Sequence, residues 1–288
     1  MRSVKAMVLC VRISLSKLLS NPKTYVMLAI MAIFHYYSYA PLATIARYYE
    51  ISVTPWVFPF YMSRVPMLTV FGGLCILLFS DAPFLDSYSQ FVIARCGRRP
   101  FILGQILYIL AASFLFTVCM LLFSLLYILP VMEWSTDWGT LLNTLAQSSS
   151  LRFEEQAGVS LSISVGEELL QLVSPIRATS VAFLCMWLVT AFLGIVISFF
   201  NVVVKKMSGV VAAGVLVGLS YFTVYWGAMT IGRWLLFISP VSWSRIGDLD
   251  WTDSGMWPSP TYAVVVLTVG IVLLGVGGAV KFCRRDLN

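Results

Sequence analysis

The sequence predicts an all-α, polytopic membrane protein with six transmembrane helices, and three observations carry that prediction. The 288 residues are 59% hydrophobic and only 11% charged, against roughly 25% charged in ordinary soluble domains, and the mean hydropathy is +0.89. Apolar runs long enough to cross a bilayer recur along the chain. The basic residues cluster beside those runs. A water-soluble fold could not hide this much apolar surface. A net charge of +6 would point a soluble protein toward nucleic acid. Beside spans it reads as membrane topology instead, with the lipid bilayer and no nucleic acid as partner.

A helix needs roughly 20 mostly apolar residues to cross the hydrocarbon core. Six stretches qualify: residues 25–41, 57–79, 101–130, 179–200, 208–226 and 262–282. Arg64, Pro59 and Pro66 interrupt the outer half of the second, and the third is longer than one crossing requires. With the N-terminus in the cytoplasm, 13 of the 19 Lys and Arg lie in inner segments, beside only Asp81, Asp86 and Asp286. The outer segments hold the other six basic residues and ten acids. The positive-inside rule therefore puts both termini in the cytoplasm. Arg12 and Lys17 break what would be the apolar core of a signal peptide, so no cleavable leader is expected. Residues 1–288 read as a single transmembrane domain.

The segments between spans have their own patterns. Within residues 2–20, Val4, Met7, Val8, Val11, Leu15, Leu18 and Leu19 fall within about 120° of a helical wheel, opposite Arg2, Lys5 and Arg12. This is an amphipathic helix lying in the interface and ended by Asn21 and Pro22; a frayed basic tail is the plainer alternative. In the 81–100 loop, Asp86 or Ser87 can cap a helix that stops at Gly97. It would carry Tyr88, Phe91 and Val92 on one face and Arg95 near its negative end. Exposed aromatics followed by arginines form a docking knob, although an anchor packed on its own bundle also fits the arginines. Residues 131–177 read as a small external cap, with a helix after Ser135, a strand over the alternating Val159–Val165 stretch and a short helix over 167–173. A lone strand must pair with something. Residues 228–239 are apolar but too short to cross, which suits a re-entrant or interfacial segment.

Several chemistries are missing. No P-loop occurs, and none of the six lysines follows a glycine, so the chain is not expected to hydrolyse ATP or to be an enzyme. The sole histidine, His35 in the first span, cannot make a His pair for a metal or ligate haem on both faces. It fits a packed polar residue or a proton relay. No Gly-x-Ser-x-Gly motif is present. The six predicted spans contain no Asp or Glu, which counts against a proton-driven carrier. The six cysteines include no CxxC pair and read as small packing residues. Gly214 and Gly218 offer a close-packing face that says nothing of substrate.

The order of elements resembles the membrane subunit of bacterial ABC transporters of the second exporter-type class, the ABC-2-type permeases. Local sequence adds to the likeness. Phe79-Ser-Asp-Ala-Pro-Phe-Leu-Asp86, Gln90-Phe91, Arg95-Cys-Gly-Arg-Arg99 and Gly104-Gln105 resemble the coupling segment of one branch, and Ser239-Pro-Val-Ser-Trp243 resembles its stretch before the last span. The resemblance implies an N-terminal elbow helix (2–20), a cytoplasmic coupling helix between spans 2 and 3 (86–96), and a re-entrant segment between spans 5 and 6 (within 227–260). It implies that Phe84, Tyr88, Phe91, Arg95, Arg98 and Arg99 couple the chain to cytoplasmic ABC ATPase subunits, which hold the ATP and magnesium. Arg233 and Trp234 would stand at the outer gate, where Arg233 equally fits a snorkelling anchor. A second copy or a related permease would complete the complex in a bacterial plasma membrane. Peptides, lipids and drug-like molecules are all open as exported substrate. A different class of function, a sensor or immunity protein that binds an external ligand without transport, is the alternative.

Overall fold

The computed structural model describes residues 2–83, 89–147, 158–205 and 207–284. Helices dominate: α1 Arg2–Ser20, α2 Pro22–Tyr48, α3 Val65–Phe79, α4 Ser89–Cys96, α5 Arg98–Ile128, α6 Gly139–Gln147, α7 Glu167–Leu172, α8 Pro175–Val203, α9 Ser208–Thr230 and α10 Pro260–Arg284. Among the described residues there is no strand, only an isolated parallel bridge between Val53 and Met132. Five helices (α2, α5, α8, α9 and α10) are long and apolar enough to cross a membrane. The chain is built as a helical, multi-pass membrane protein.

The sixth expected span is the short one. α3 has 15 residues, a rise of about 22 Å against a hydrocarbon core of about 30 Å. Its predicted outer half turns aside into a 3-10 turn at Phe58–Phe60, with Pro59 inside it and Pro66 opening α3. Proline removes a backbone donor and sets its own φ, so two of them partition one apolar run into two elements. Pro41 behaves differently. The first span was expected to end there, but α2 continues to Tyr48.

α8 is the central helix. It packs against α3, α5, α9 and α10, and 67% of its most apolar window is buried, whereas the other four spanning helices bury 28–39% of theirs. Their remaining faces carry exposed apolar side chains such as Ile33, Leu122, Val211 and Leu273, as lipid-facing helices do. α1 lies along α5, where Cys10 is buried and Gln105 Nε2 donates to Ser14 Oγ at 3.4 Å. The break between α1 and α2 falls where the sequence put it. Asn21 caps α2 by accepting from Lys23 N at 3.0 Å, with Pro22 in the first turn; both choices suit a helix start.

The helices alternate in direction and define two ends. At the basic end, Cys10, Ile93, Phe101, Ile102, Val202 and Phe282 form a small apolar cluster that joins α1, α4, α5, α8 and α10. At the cap end, α6, α7 and the connecting segments cover the bundle. The predicted strand is a correction: residues 159–166 follow a turn at Gly158 and form no strand or ladder. Leu161 and Ile163 are buried, but the backbone bonds go to side chains, with Ser164 N donating to Ser63 Oγ at 2.8 Å and Arg64 Nη2 to Leu161 O at 3.2 Å. Residues 228–243 form no single re-entrant helix. After α9 ends at Thr230, Gly232 takes φ +144°, and 3-10 turns follow at Arg233–Ile238 and Ser242–Ser244. Leu235, Leu236 and Trp243 are buried there, with Trp243 Nε1 donating to Leu236 O at 2.8 Å and Tyr262 OH to Phe237 O at 3.0 Å.

Candidate functional site

The surface of α4 at the basic end has two characters. Ile93 is held in the small apolar cluster, while Phe91, two residues earlier, is 70% exposed. Residues two apart on a helix point to different faces, so one short helix is anchored on one side and offers an aromatic on the other. Gly97 ends it with φ +86°, a region that favours glycine, and α5 begins at once with Arg98. Arg95, one turn after Phe91, is exposed, and so is Arg99 in the first turn of α5. Arg98 is turned inward, half-buried, and donates from Nη1 to Cys283 O at 3.3 Å. A cation at the last carbonyls of a helix complements its dipole, so Arg98 caps α10 instead of joining the exposed patch. Phe84 and Tyr88 lie outside the described residues, as does the predicted cap at Asp86 or Ser87.

Two polar ties hold this end together, and the sequence reading had assigned neither. Lys23 at the start of α2 pairs with Asp81 at 2.8 Å and bonds Ser80. Asn201, in the last turn of α8, donates from Nδ2 to Ala82 O at 2.6 Å and accepts from Gly209 N at 2.8 Å through Oδ1. One buried amide therefore satisfies two backbone groups, one from the segment that leads to α4 and one from the start of α9. An asparagine inside an apolar run was the available signal, since such a group must find partners.

The cap end contains a cavity of about 330 Å3 between the pre-α3 segment, the cap and the loop before α10. Arg245 and Asp248 pair across 3.0 Å in its wall, with side chains 10% and 26% exposed. Burial lowers the pKa of Arg245, partly offset by Asp248; burial raises that of Asp248, partly offset by Arg245. Arg245 also donates from Nη2 to Ser63 O at 3.0 Å, and its buried Nη1 has no hydrogen-bond partner among the described residues. Asp250 organises the next turn by accepting from Thr252 N and Oγ1, Ser254 Oγ and Gly255 N at 2.8–3.0 Å. Burial works against its charge, but the hydrogen bonds from Ser254 and Thr252 outweigh it and hold the carboxyl below the usual range. Glu168, Trp251 and Trp257 complete the polar and aromatic lining.

Arg233 and Trp234 are both exposed at this end. Arg233 stacks over Trp257 at 5.0 Å and approaches Met256 Sδ at 3.7 Å, while Trp234 is 57% exposed. His35 is fully buried in α2, with Nδ1 at 2.8 Å from Met31 O and its ring stacked on Tyr61 at 4.1 Å. The ring is packed among aromatics, with Tyr61 the nearest and Phe123 and Tyr39 at 5.9 and 6.0 Å. Among the described residues, no group of three or more His, Cys, Asp and Glu side chains could hold a metal ion. No protein-family model, no curated protein and no solved structure matches the chain.

Proposed function

We propose that this chain is the membrane-spanning permease subunit of an ATP-driven ABC transporter, exporting a peptide, lipid-like or drug-like substrate. In this reading the basic end is cytoplasmic, in a bacterial plasma membrane, with both termini on that side. α1 is the elbow helix, α3 makes the sixth crossing, and α4 is the coupling helix. The 227–260 segment dips into the outer leaflet with Arg233 and Trp234 at the exit. ATP and magnesium belong to the partner ATPase, and a second copy or a related permease completes the complex.

The observation that carries the reading is α4 itself. A helix of eight residues that buries Ile93 in a five-helix junction while exposing Phe91 and Arg95, with Arg99 exposed in the first turn of α5, suits a rigid knob that pushes on the bundle when pushed. An aromatic flanked by arginines is the composition of an interface hot spot. Replacing Phe91 and Arg95 together by alanine is expected to weaken capture of a co-expressed ABC ATPase by about tenfold or more, since losing such an anchor costs about 2 kcal/mol. Thermal stability should be unchanged because neither side chain is packed. Undiminished capture and function would leave the second reading, a sensor or immunity protein without transport, which the cavity beneath the cap favours. That protein would then depend on cavity residues such as Trp251 and Asp248 instead.

A further inference from the structure

Three stretches far apart in the chain leave a space between them at the cap end. Segments from 59–63 before α3, from 164–169 of the cap and from the 245–257 loop before α10 enclose about 330 Å3, at the lower end of the range for small-molecule sites. Ser164, Glu168 and Ser254 in its wall are exposed, so the space opens to the outside. Packed interiors leave few voids of this size. A polar group in such a wall either finds a partner within the fold or stays available to a guest.

Much of the wall is already satisfied. Ser63 Oγ accepts from Ser164 N at 2.8 Å and donates to Phe60 O at 2.6 Å. Asp250 is filled by the four hydrogen bonds of its own turn. Trp251 Nε1 donates to Ile246 O at 2.9 Å. What remains is chiefly acidic and aromatic. The Glu168 carboxylate, in the first turn of α7, has no hydrogen-bond or ion-pair partner among the described residues. Asp248 is tied to Arg245 through Oδ2, and 26% of its side chain is still exposed. Trp251 and Trp257 are both half-buried. The wall therefore sets three carboxyl groups against one guanidinium, that of Arg245.

Both indoles already hold a cation. The guanidinium of Arg233 lies 5.0 Å from the ring centre of Trp257, and that of Arg177 lies 5.8 Å from that of Trp251. At such distances the negative face of an aromatic ring attracts positive charge. Both arginines are exposed and stand outside the cavity wall, so they flank the space without filling it. The acids of the wall do not converge as metal ligands. Indole faces beside unspent carboxylates suit an organic cation, which needs a ring face and a nearby negative charge but no coordination sphere.

We propose that the cap cavity is a binding site for a small organic cation, an alkylammonium group held by the indoles of Trp251 and Trp257 and by the carboxylates of Glu168 and Asp248. Glu168 supplies the charge that no residue of the fold has claimed. Asp248 adds its free oxygen while Arg245 keeps it in place. The site serves an exported cation leaving at the outer end and equally the external ligand of a sensor. Binding to the chain by itself needs no ATPase, so its failure and that of the permease reading are separate results.

The test uses the full chain in uncharged maltoside micelles and three probes of one shape and different charge: choline, its neutral isostere 3,3-dimethylbutan-1-ol, and 3,3-dimethylbutanoate. Binding is read by saturation-transfer NMR of each probe. Choline should give a saturable signal, with the neutral isostere bound about fivefold more weakly, as a cation held by a ring face gains about 1 kcal/mol. Glu168→Gln and Trp257→Leu should each weaken choline by about the same factor, and Trp257→Phe should keep part of the affinity. Glu168 is exposed, so Glu168→Gln should leave the unfolding midpoint of the free chain in place. Arg233→Gln takes a competing cation off Trp257 and should tighten choline binding. The proposal is overturned if choline gives no saturable signal, if the neutral probe binds as well, or if Glu168→Gln and Trp257→Leu bind choline like the wild type. Preferred binding of the carboxylate, lost in Arg233→Gln, would make this an anion site and overturns it too.

Discussion

Arg245 and Asp248 meet where three segments converge: the loop before α10, the residues before α3, and the cap. Removing one member of a buried ion pair leaves the other charge without compensation. Arg245→Met, which leaves Asp248 buried without its partner and Ser63 O without its donor, is therefore expected to cost about 3 kcal/mol, read as a lowered unfolding midpoint in detergent. The double variant Arg245→Met with Asp248→Leu should recover most of that loss, because replacing both charges by apolar groups also removes the desolvation cost. Strictly additive losses would show that the pair is not coupled. The two neighbouring aspartates respond to pH with opposite sign. Asp248 has a raised pKa, so its ionised form opposes folding, and stability is gained as the pH falls through that raised value. Asp250 has a lowered pKa, so its contribution is present above the ordinary carboxylate value and is lost as the pH falls through the lowered one.

Packing at the level of helices turns on small residues in two different ways. Gly209, at the start of α9, faces the backbone of α8: a Cβ there would lie 2.1 Å from Ile197 O. Gly209→Ala should force the α8–α9 hairpin apart at a cost of about 1–3 kcal/mol and strain the Asn201 bridge. Gly214 and Gly218 on the same helix have open space where a Cβ would go. Alanine at either position should be tolerated in the isolated chain or stabilise it by up to about 1 kcal/mol. Comparing the three unfolding midpoints checks the order. If a second permease packs on this face of α9, Gly214→Ala should in addition reduce crosslinking between copies while leaving the single chain intact.

For the molecule as a whole, the number of crossings decides which side each terminus occupies. Five crossings would put the termini on opposite sides and six on the same side. α3 is short by about 8 Å of a full hydrocarbon thickness. Burial among α2, α8 and α9 shields it from lipid, and the Phe58–Phe60 turn extends its column toward the cap. We expect both termini to be labelled from the same face in sealed, oriented vesicles carrying single terminal tags. Labelling from opposite faces would remove α3 as a span and the proposed topology with it.

What the sequence determined by itself is local. The five long helices follow from apolar runs, the α1–α2 break from Asn21 and Pro22, and the α4 stop from Gly97, because each depends on neighbours within a turn or two. The exposure of Phe91 and Arg95 was legible for the same reason. The tertiary structure decided what depends on distant partners. It turned Arg98 onto Cys283, 185 residues away, and gave the Val159–Val165 stretch side-chain partners at Ser63 and Arg64 in place of a strand. It also brought Arg245 to Ser63 across 182 residues. A periodic pattern records which face of an element is buried, but buried polar groups take whatever partner the assembled fold supplies, and that partner has no signature in the local sequence.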